Sequence, residues 1–226
     1  MSSIFQLEQP SKFKFSIAPR PDEGYCQYCT MHILKGKAAL LVIDVQHDFI
    51  DDGAPVHCVG GKDMLPKIKQ LIEACRGADI PVIYTQEVHR ASHVDMGREL
   101  DGNEPDHCII GSKGVEIMEE IAPDANDIIV TKPRYNAFLG TDLTYILNGL
   151  NVLPHDTLII CGDATNVCVH YTSAEAHQRD YKIKVVEDCC AGSSWEEHEA
   201  ALTQINYLQN GSRVKLKDII KEIESI

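Results

Sequence analysis

Residues 157–186 read TLIICGDATNVCVHYTSAEAHQRDYKIKVV. An apolar, β-branched run from Thr157 to Cys161 stops at a small polar turn, Gly162 to Cys168, and a helical pattern follows from about Val167 to Arg179. A second β-branched run then opens at Lys182 and continues to Val186. Strand, crossover helix and strand in so short a stretch form one βαβ unit, which calls for two parallel neighbouring strands.

The pattern repeats outward from this unit. Upstream lie an apolar run from Ala38 to Asp44, a helical stretch from about Lys62 to Arg76, a run from Ile80 to Gln86, a long polar loop, a run from Asp127 to Thr131, and a helix from about Asp142 to Gly149. Downstream, helices are expected from about Glu196, ending in the amphipathic KLKDIIKEIESI with its charges on a solvated face. The alternation predicts an α/β fold: a three-layer α/β/α sandwich around a mostly parallel central sheet. Residues 1–37 lack a period and carry Pro10, Pro19, Arg20 and Pro21, so they read as an irregular N-terminal extension ahead of a single domain at 38–226.

A chain of 226 residues, 44% hydrophobic, can bury a core without staples. Its nine cysteines are therefore not a disulfide scaffold; the count is odd, and Cys75, Cys161, Cys189 and Cys190 sit in apolar segments. This predicts a reducing, cytoplasmic setting, and the apolar run Ala38 to Val45 is far short of the roughly 20 residues of a membrane span. The net charge of −13, without clustered Lys or Arg, speaks against nucleic acid and leaves a small molecule as the expected partner. The lone Cys26-Gln27-Tyr28-Cys29 pair has no second pair to complete a zinc site.

In an open parallel sheet the ligand crevice lies outside the carboxyl ends of the strands. Asp44 ends one run, Gln86 to His89 another and Lys132 a third, while Cys168 follows the turn after Cys161. A cysteine nucleophile acts as thiolate and needs a base, a cation or a helix N-terminus beside it. Asp44 could take the thiol proton, Lys132 could supply the cation, and N–H groups of the 162–168 turn could hold an oxyanion. A thiol so activated is expected to react with iodoacetamide well below pH 8.

Three stretches carry a resemblance: LLVIDVQHDF at 40–49, TKPRYNAFLGTDL at 131–143 and CGDATNVCVHYTSAEAHQRDYKIKVVEDCCAG at 161–192. Over roughly residues 38–210 the chain resembles the isochorismatase-like cysteine hydrolases, which include nicotinamidases, N-carbamoyl amide hydrolases and isochorismatases. The resemblance implies an Asp44, Lys132 and Cys168 triad, a cis peptide between Asp163 and Ala164, and oxyanion donors at the N–H groups of Ala164 and Cys168. It also implies homo-oligomers, for which the N-terminal extension offers an arm, and no organic cofactor.

A narrower similarity to nicotinamidases implies one divalent metal, zinc, manganese or iron, beside the triad. Glu87, His89, His93 and His107 are the expected ligands, with Glu87 where that group carries Asp. Phe49, Glu104, Arg134, Tyr135 and Phe138 are the expected substrate contacts; Glu104 stands where nicotinamidases carry Trp, and Arg134 is expected to meet a polar or acidic substrate group. The expectation is a hydrolase that cleaves the C–N bond of a small non-peptide amide, nicotinamide-like or ureide, through a thioester. The alternatives are an isochorismatase-type vinyl ether hydrolase and a silent binding module on the same fold.

Overall fold

The computed structural model describes residues 37–101 and 104–225; the N-terminal extension and its Cys26 and Cys29 lie outside the described residues. Six strands form one sheet: β1 (Ala38–Ile43), β2 (Val82–Glu87), β3 (Ile128–Lys132), β4 (Thr157–Gly162), β5 (Lys182–Cys190) and β6 (Arg213–Val214), in the order β3-β2-β1-β4-β5-β6. Every pairing between these strands is parallel, with Leu41 opposite Ile83 on one side and opposite Ile160 on the other.

β1 runs AALLVI, every residue buried, because both faces of a central parallel strand are covered. Its alternation divides the core. Leu40 and Val42 face the layer of α2 (Gly61–Gly77) and α6 (Leu216–Ile223), packing with Ile68, Leu71, Ile72 and Ile219. Ala39, Leu41 and Ile43 face the opposite layer, α3 (Leu143–Gly149), α4 (His170–Gln178) and α5 (Trp195–Leu208), through Leu143, Leu147, Ala176, Leu202 and Ile205. A short α1 (His47–Ile50) follows the end of β1. Each fully buried aliphatic side chain here contributes about 1.5–3 kcal/mol relative to an exposed one.

The chain leaves β1 for β2 and β3 on one side and returns to β4 on the other, so a topological switch point lies between β1 and β4, where such sheets bind ligands. Gly162 makes it possible: with φ at 114°, a Cβ there would be driven into the Ile43 carbonyl of β1. β5 runs past the expected Val186 to Cys190. Its charged residues are held from the neighbouring segment, with Glu187 against Arg213 and Lys215, and Asp188 Oδ1 accepting from Leu216 N at 2.8 Å. No helix among the described residues is long and apolar enough to cross a membrane.

Candidate active site

Four strand or turn ends meet at the switch point. Asp44 follows β1 with φ at 49°, a left-handed conformation that Asp tolerates better than most residues. Glu87 ends β2 and Lys132 ends β3. Cys168 sits in a π-helical turn, Thr165–Val169, between β4 and α4, just after a cis peptide bond joining Asp163 and Ala164. The sequence placed a plain helix start here, and the structure finds a wider turn.

Lys132 Nζ lies 2.6 Å from Asp44 Oδ2, 3.2 Å from Glu87 Oε2 and 3.5 Å from Cys168 Sγ. Cys168 Sγ is 3.6 Å from Glu87 Oε2, and ligand atoms of Asp44, Glu87 and Cys168 lie within 4.8 Å of one another. Thr85 Oγ1 donates to Asp44 Oδ1 at 2.7 Å, fixing the carboxylate from β2. All four charged or nucleophilic side chains are buried.

Burial raises the Asp44 carboxyl above its usual range, Lys132 moderates the rise, and Glu87 adds to it. Glu87 is also penalised by burial, but Lys132 and hydrogen bonds from His107 and His89 more than offset this and hold it well below the usual range. Lys132 is pulled down by burial and raised well above its ordinary value by Asp44, Cys168 and Glu87. The Cys168 thiol is pushed well up, first by burial and then by Asp44 and Glu87, with Lys132 opposing. The sequence reading expected a thiol acidified in advance, whereas burial and the two carboxylates push the Cys168 thiol the other way.

A second cluster adjoins the first through Glu87. Its Oε1 lies 3.0 Å from His89 Nε2 and 2.8 Å from His107 Nε2, while Glu99 Oε2 lies 3.4 Å from His89 Nε2. Ligand atoms of Glu87, His89, Glu99 and His107 all fall within 4.8 Å of one another, and all four residues are buried. Neither Glu99 oxygen has a hydrogen-bond partner, and burial beside Glu87 pushes this carboxyl up to about 7. A buried carboxylate without donors, facing two imidazoles and a second carboxylate, fits a divalent cation of the zinc, manganese or iron class.

Two of the site's positioning groups escaped the sequence. Glu99 is in a single helical turn, Glu99–Asp101, within an irregular segment whose sequence carries no period to mark it. Nothing in the sequence marks Gln46 either: its Nε2 donates to Glu87 O at 2.9 Å and its Oε1 accepts from Glu87 N at 2.7 Å, so one side-chain amide pairs with Glu87 as a strand would.

The structure brings Phe49, Glu104 and Tyr135 to a cavity of about 590 Å³ that Ala164 and Cys168 also line, with Tyr135 donating to Glu104 Oε2 at 2.9 Å. Three expected residues lie elsewhere. His93 is outside the ligand cluster, its Nε2 2.8 Å from Asp106 Oδ2 and its side chain 43% exposed. Arg134 turns away from this cavity, because its guanidinium donates to the backbone carbonyls of Asp95 and Pro133. Phe138 is a core residue, stacked on Tyr181 at 6.3 Å with the Arg179 guanidinium 4.8 Å from its centroid.

The isochorismatase domain model matches residues 38–215. A Bacillus subtilis protein described as an uncharacterized isochorismatase family protein, YaaI, is 31% identical over 171 residues, covering 76% of this chain and 90% of its own. Nicotinamidase 3 of Arabidopsis thaliana is 30% identical over 174 residues, 75% and 81% of the two chains. Among solved structures, the pyrazinamidase of Pyrococcus horikoshii in complex with zinc superposes with a TM-score of 0.70 at 28% identity, covering 80% of this chain and 99% of its own.

Proposed function

Because this chain belongs to the isochorismatase family, we propose that it is a cysteine hydrolase that opens the C–N bond of a small non-peptide amide, with Asp44, Lys132 and Cys168 as its working groups. The observation that carries the reading is one buried ammonium, Lys132 Nζ, within 2.6 Å of Asp44 Oδ2 and 3.5 Å of Cys168 Sγ. An inert structural cysteine has no use for that arrangement.

Asp44 accepts the Sγ proton as sulfur attacks the amide carbonyl carbon, and Lys132 stabilises the anionic charge that crosses from carboxylate to thiolate. The carbonyl oxygen becomes an oxyanion for which the N–H groups of Ala164 and Cys168 are the proposed donors. Asp44 returns its proton to the departing nitrogen; the C–N bond breaks, ammonia or an amine leaves, and a Cys168 thioester remains. Water, deprotonated by Asp44, then cleaves the thioester, releasing the acid and restoring the thiol. A divalent metal held by Glu87, His89, Glu99 and His107 would supply a Lewis acid at the cavity wall, able to polarise a substrate carbonyl or ring nitrogen.

Residues 38–226 are the proposed catalytic domain, a small-molecule amide its partner, and the cytoplasm its setting, with self-association measurable by light scattering. The test is ammonia release from nicotinamide, pyrazinamide, biuret and ureides, with chelated and with zinc- or manganese-loaded protein. Turnover of nicotinamide that vanishes on chelation supports the metal cluster as a working part. Turnover of ureides indifferent to chelation reduces that cluster to a polar wall, and no ammonia from any amide refutes the amidase reading.

A further inference from the structure

The cavity in front of Cys168 has the wrong charge for an acidic substrate. Four carboxylates line it, Glu87, Glu99, Glu104 and Glu197. The first two belong to the ligand cluster, where His89 and His107 lie against Glu87 Oε1 at 3.0 and 2.8 Å. Glu104 and Glu197 are different, since the hydrogen-bond partners recorded for them among the described residues are neutral. Glu104 accepts from the Tyr135 hydroxyl at 2.9 Å, and Glu197 accepts from Asn166 Nδ2 at 2.8 Å and from the Ser193 hydroxyl.

The groups at or near the wall that could attract an anion are already engaged, His57 with its Nδ1 3.0 Å from Asp51 O among them. Arg98 is 93% exposed and its guanidinium pairs with Asp101 at 2.7 Å. Arg134 faces backbone carbonyls outside the cavity. The N-terminus of α5 opens at the cavity rim, and Ser194 caps it by accepting from Glu197 N at 3.1 Å. Glu197 itself supplies the negative charge that the helix dipole favours there, so that end attracts no further anion.

We infer that Glu104 and Glu197 are specificity-determining residues that exclude amides bearing a carboxylate and admit uncharged or cationic ones, whose N–H donors or positive charge these two acids receive. The inference rests on the amidase reading for the word substrate, but the charge selection itself can be read at the thiol. Three methanethiosulfonates that form the same kind of mixed disulfide, carrying an aminoethyl, a methyl or a sulfonatoethyl group, are reacted with the full-length protein. The label on the Cys168 peptide is followed by mass spectrometry, with rates normalised to a free small thiol.

The cationic reagent should label Cys168 roughly tenfold faster than the anionic one after normalisation, the factor that about 1.4 kcal/mol represents. Glu104→Gln and Glu197→Gln should each reduce the preference about threefold, the share each has when two acids divide a tenfold ratio between them. An anionic reagent as fast as the cationic one, a preference unchanged in both variants, or a Cys168 that none of the reagents reaches would overturn the inference. Succinamide, its half-acid succinamate and 3-aminopropanamide then separate the two claims. Ammonia from succinamate in preference to the others refutes the charge selection, while ammonia from none of these nor of nicotinamide, pyrazinamide, biuret and ureides, beside a clear thiol preference, refutes the amidase reading and leaves the charge selection as a property of the cavity.

Discussion

Lys132→Met tests the buried charge network most directly, because it keeps the length and apolar stem of the side chain while removing the ammonium. In the native protein that ammonium sits 2.6 Å from Asp44 Oδ2 and 3.2 Å from Glu87 Oε2. At an effective dielectric near 20 the gross attractions are about 6 and 5 kcal/mol, largely spent against the desolvation of all three groups. Without the ammonium the desolvation cost stands alone, and breaking such a pair costs about 3–5 kcal/mol. The variant can limit this by protonating Glu87 or Asp44, at about 1.4 kcal/mol per pH unit above the unfolded carboxyl value. Neutralising Glu87 thus costs about 4.4 kcal/mol at pH 7.5 but about 1 at pH 5.0.

The signs follow from proton counting. In the native protein Glu87 lies well below its unfolded value, so its contribution is present above that value and is lost as the pH falls through the folded one. Lys132, raised well above its unfolded value, contributes fully throughout neutral pH and loses that only as the pH rises through its folded one. In the variant both carboxyls bind protons more tightly folded than unfolded, so stability falls as pH rises. Urea unfolding with chelator present, wild type against Lys132→Met, should therefore show a loss of about 3–5 kcal/mol at pH 7.5 that shrinks to about 1–2 at pH 5.0. A loss below about 1 kcal/mol at pH 7.5, or one equal at both pH values, would refute this account of the network.

Cys168→Ala should abolish ammonia release while leaving far-UV dichroism and the urea midpoint near those of the wild type; full turnover on the true substrate would sink the mechanism. Because burial and two carboxylates hold the Cys168 thiol well above its ordinary value, its alkylation by iodoacetamide should keep rising with pH beyond 9, and a plateau below pH 8 would contradict that. Glu99→Gln should weaken zinc or manganese binding by about 10- to 100-fold in equilibrium dialysis. Wild-type affinity should fall as the pH drops through about 7, where Glu99 takes up a proton. Affinity insensitive to both changes would remove Glu99 from the ligand set.

Much of the molecule was legible because the strands are continuous apolar runs, and because Asp44, Lys132 and Cys168 each stand where such a run or its turn stops. β6 was not, since two residues, Arg213 and Val214, carry no period; their pairing with β5 comes from the tertiary structure. The errors at the site fall in the irregular segments that follow β2 and β3. The similarity to nicotinamidases put His93 among the ligands, but the backbone there turns through a φ of 59° and its Nε2 lies 2.8 Å from Asp106 Oδ2. Arg134 and Phe138 were read as facing the substrate because they follow Lys132; the one is taken by backbone carbonyls and the other by Tyr181 and Arg179. Side-chain direction after a strand end depends on neighbours far away in sequence, and local pattern does not carry it.

Glu87 divides its carboxylate between two neighbourhoods, one oxygen toward His89 and His107 and the other toward Lys132 and Cys168. Thermodynamic reciprocity then ties the two neighbourhoods together. Whatever factor a cation at the histidine side applies to the acidity of the thiol, deprotonating the thiol applies to the affinity for that cation. A cation held there would thus be coupled to the acidity of the thiol through this one carboxylate, without any movement of the backbone.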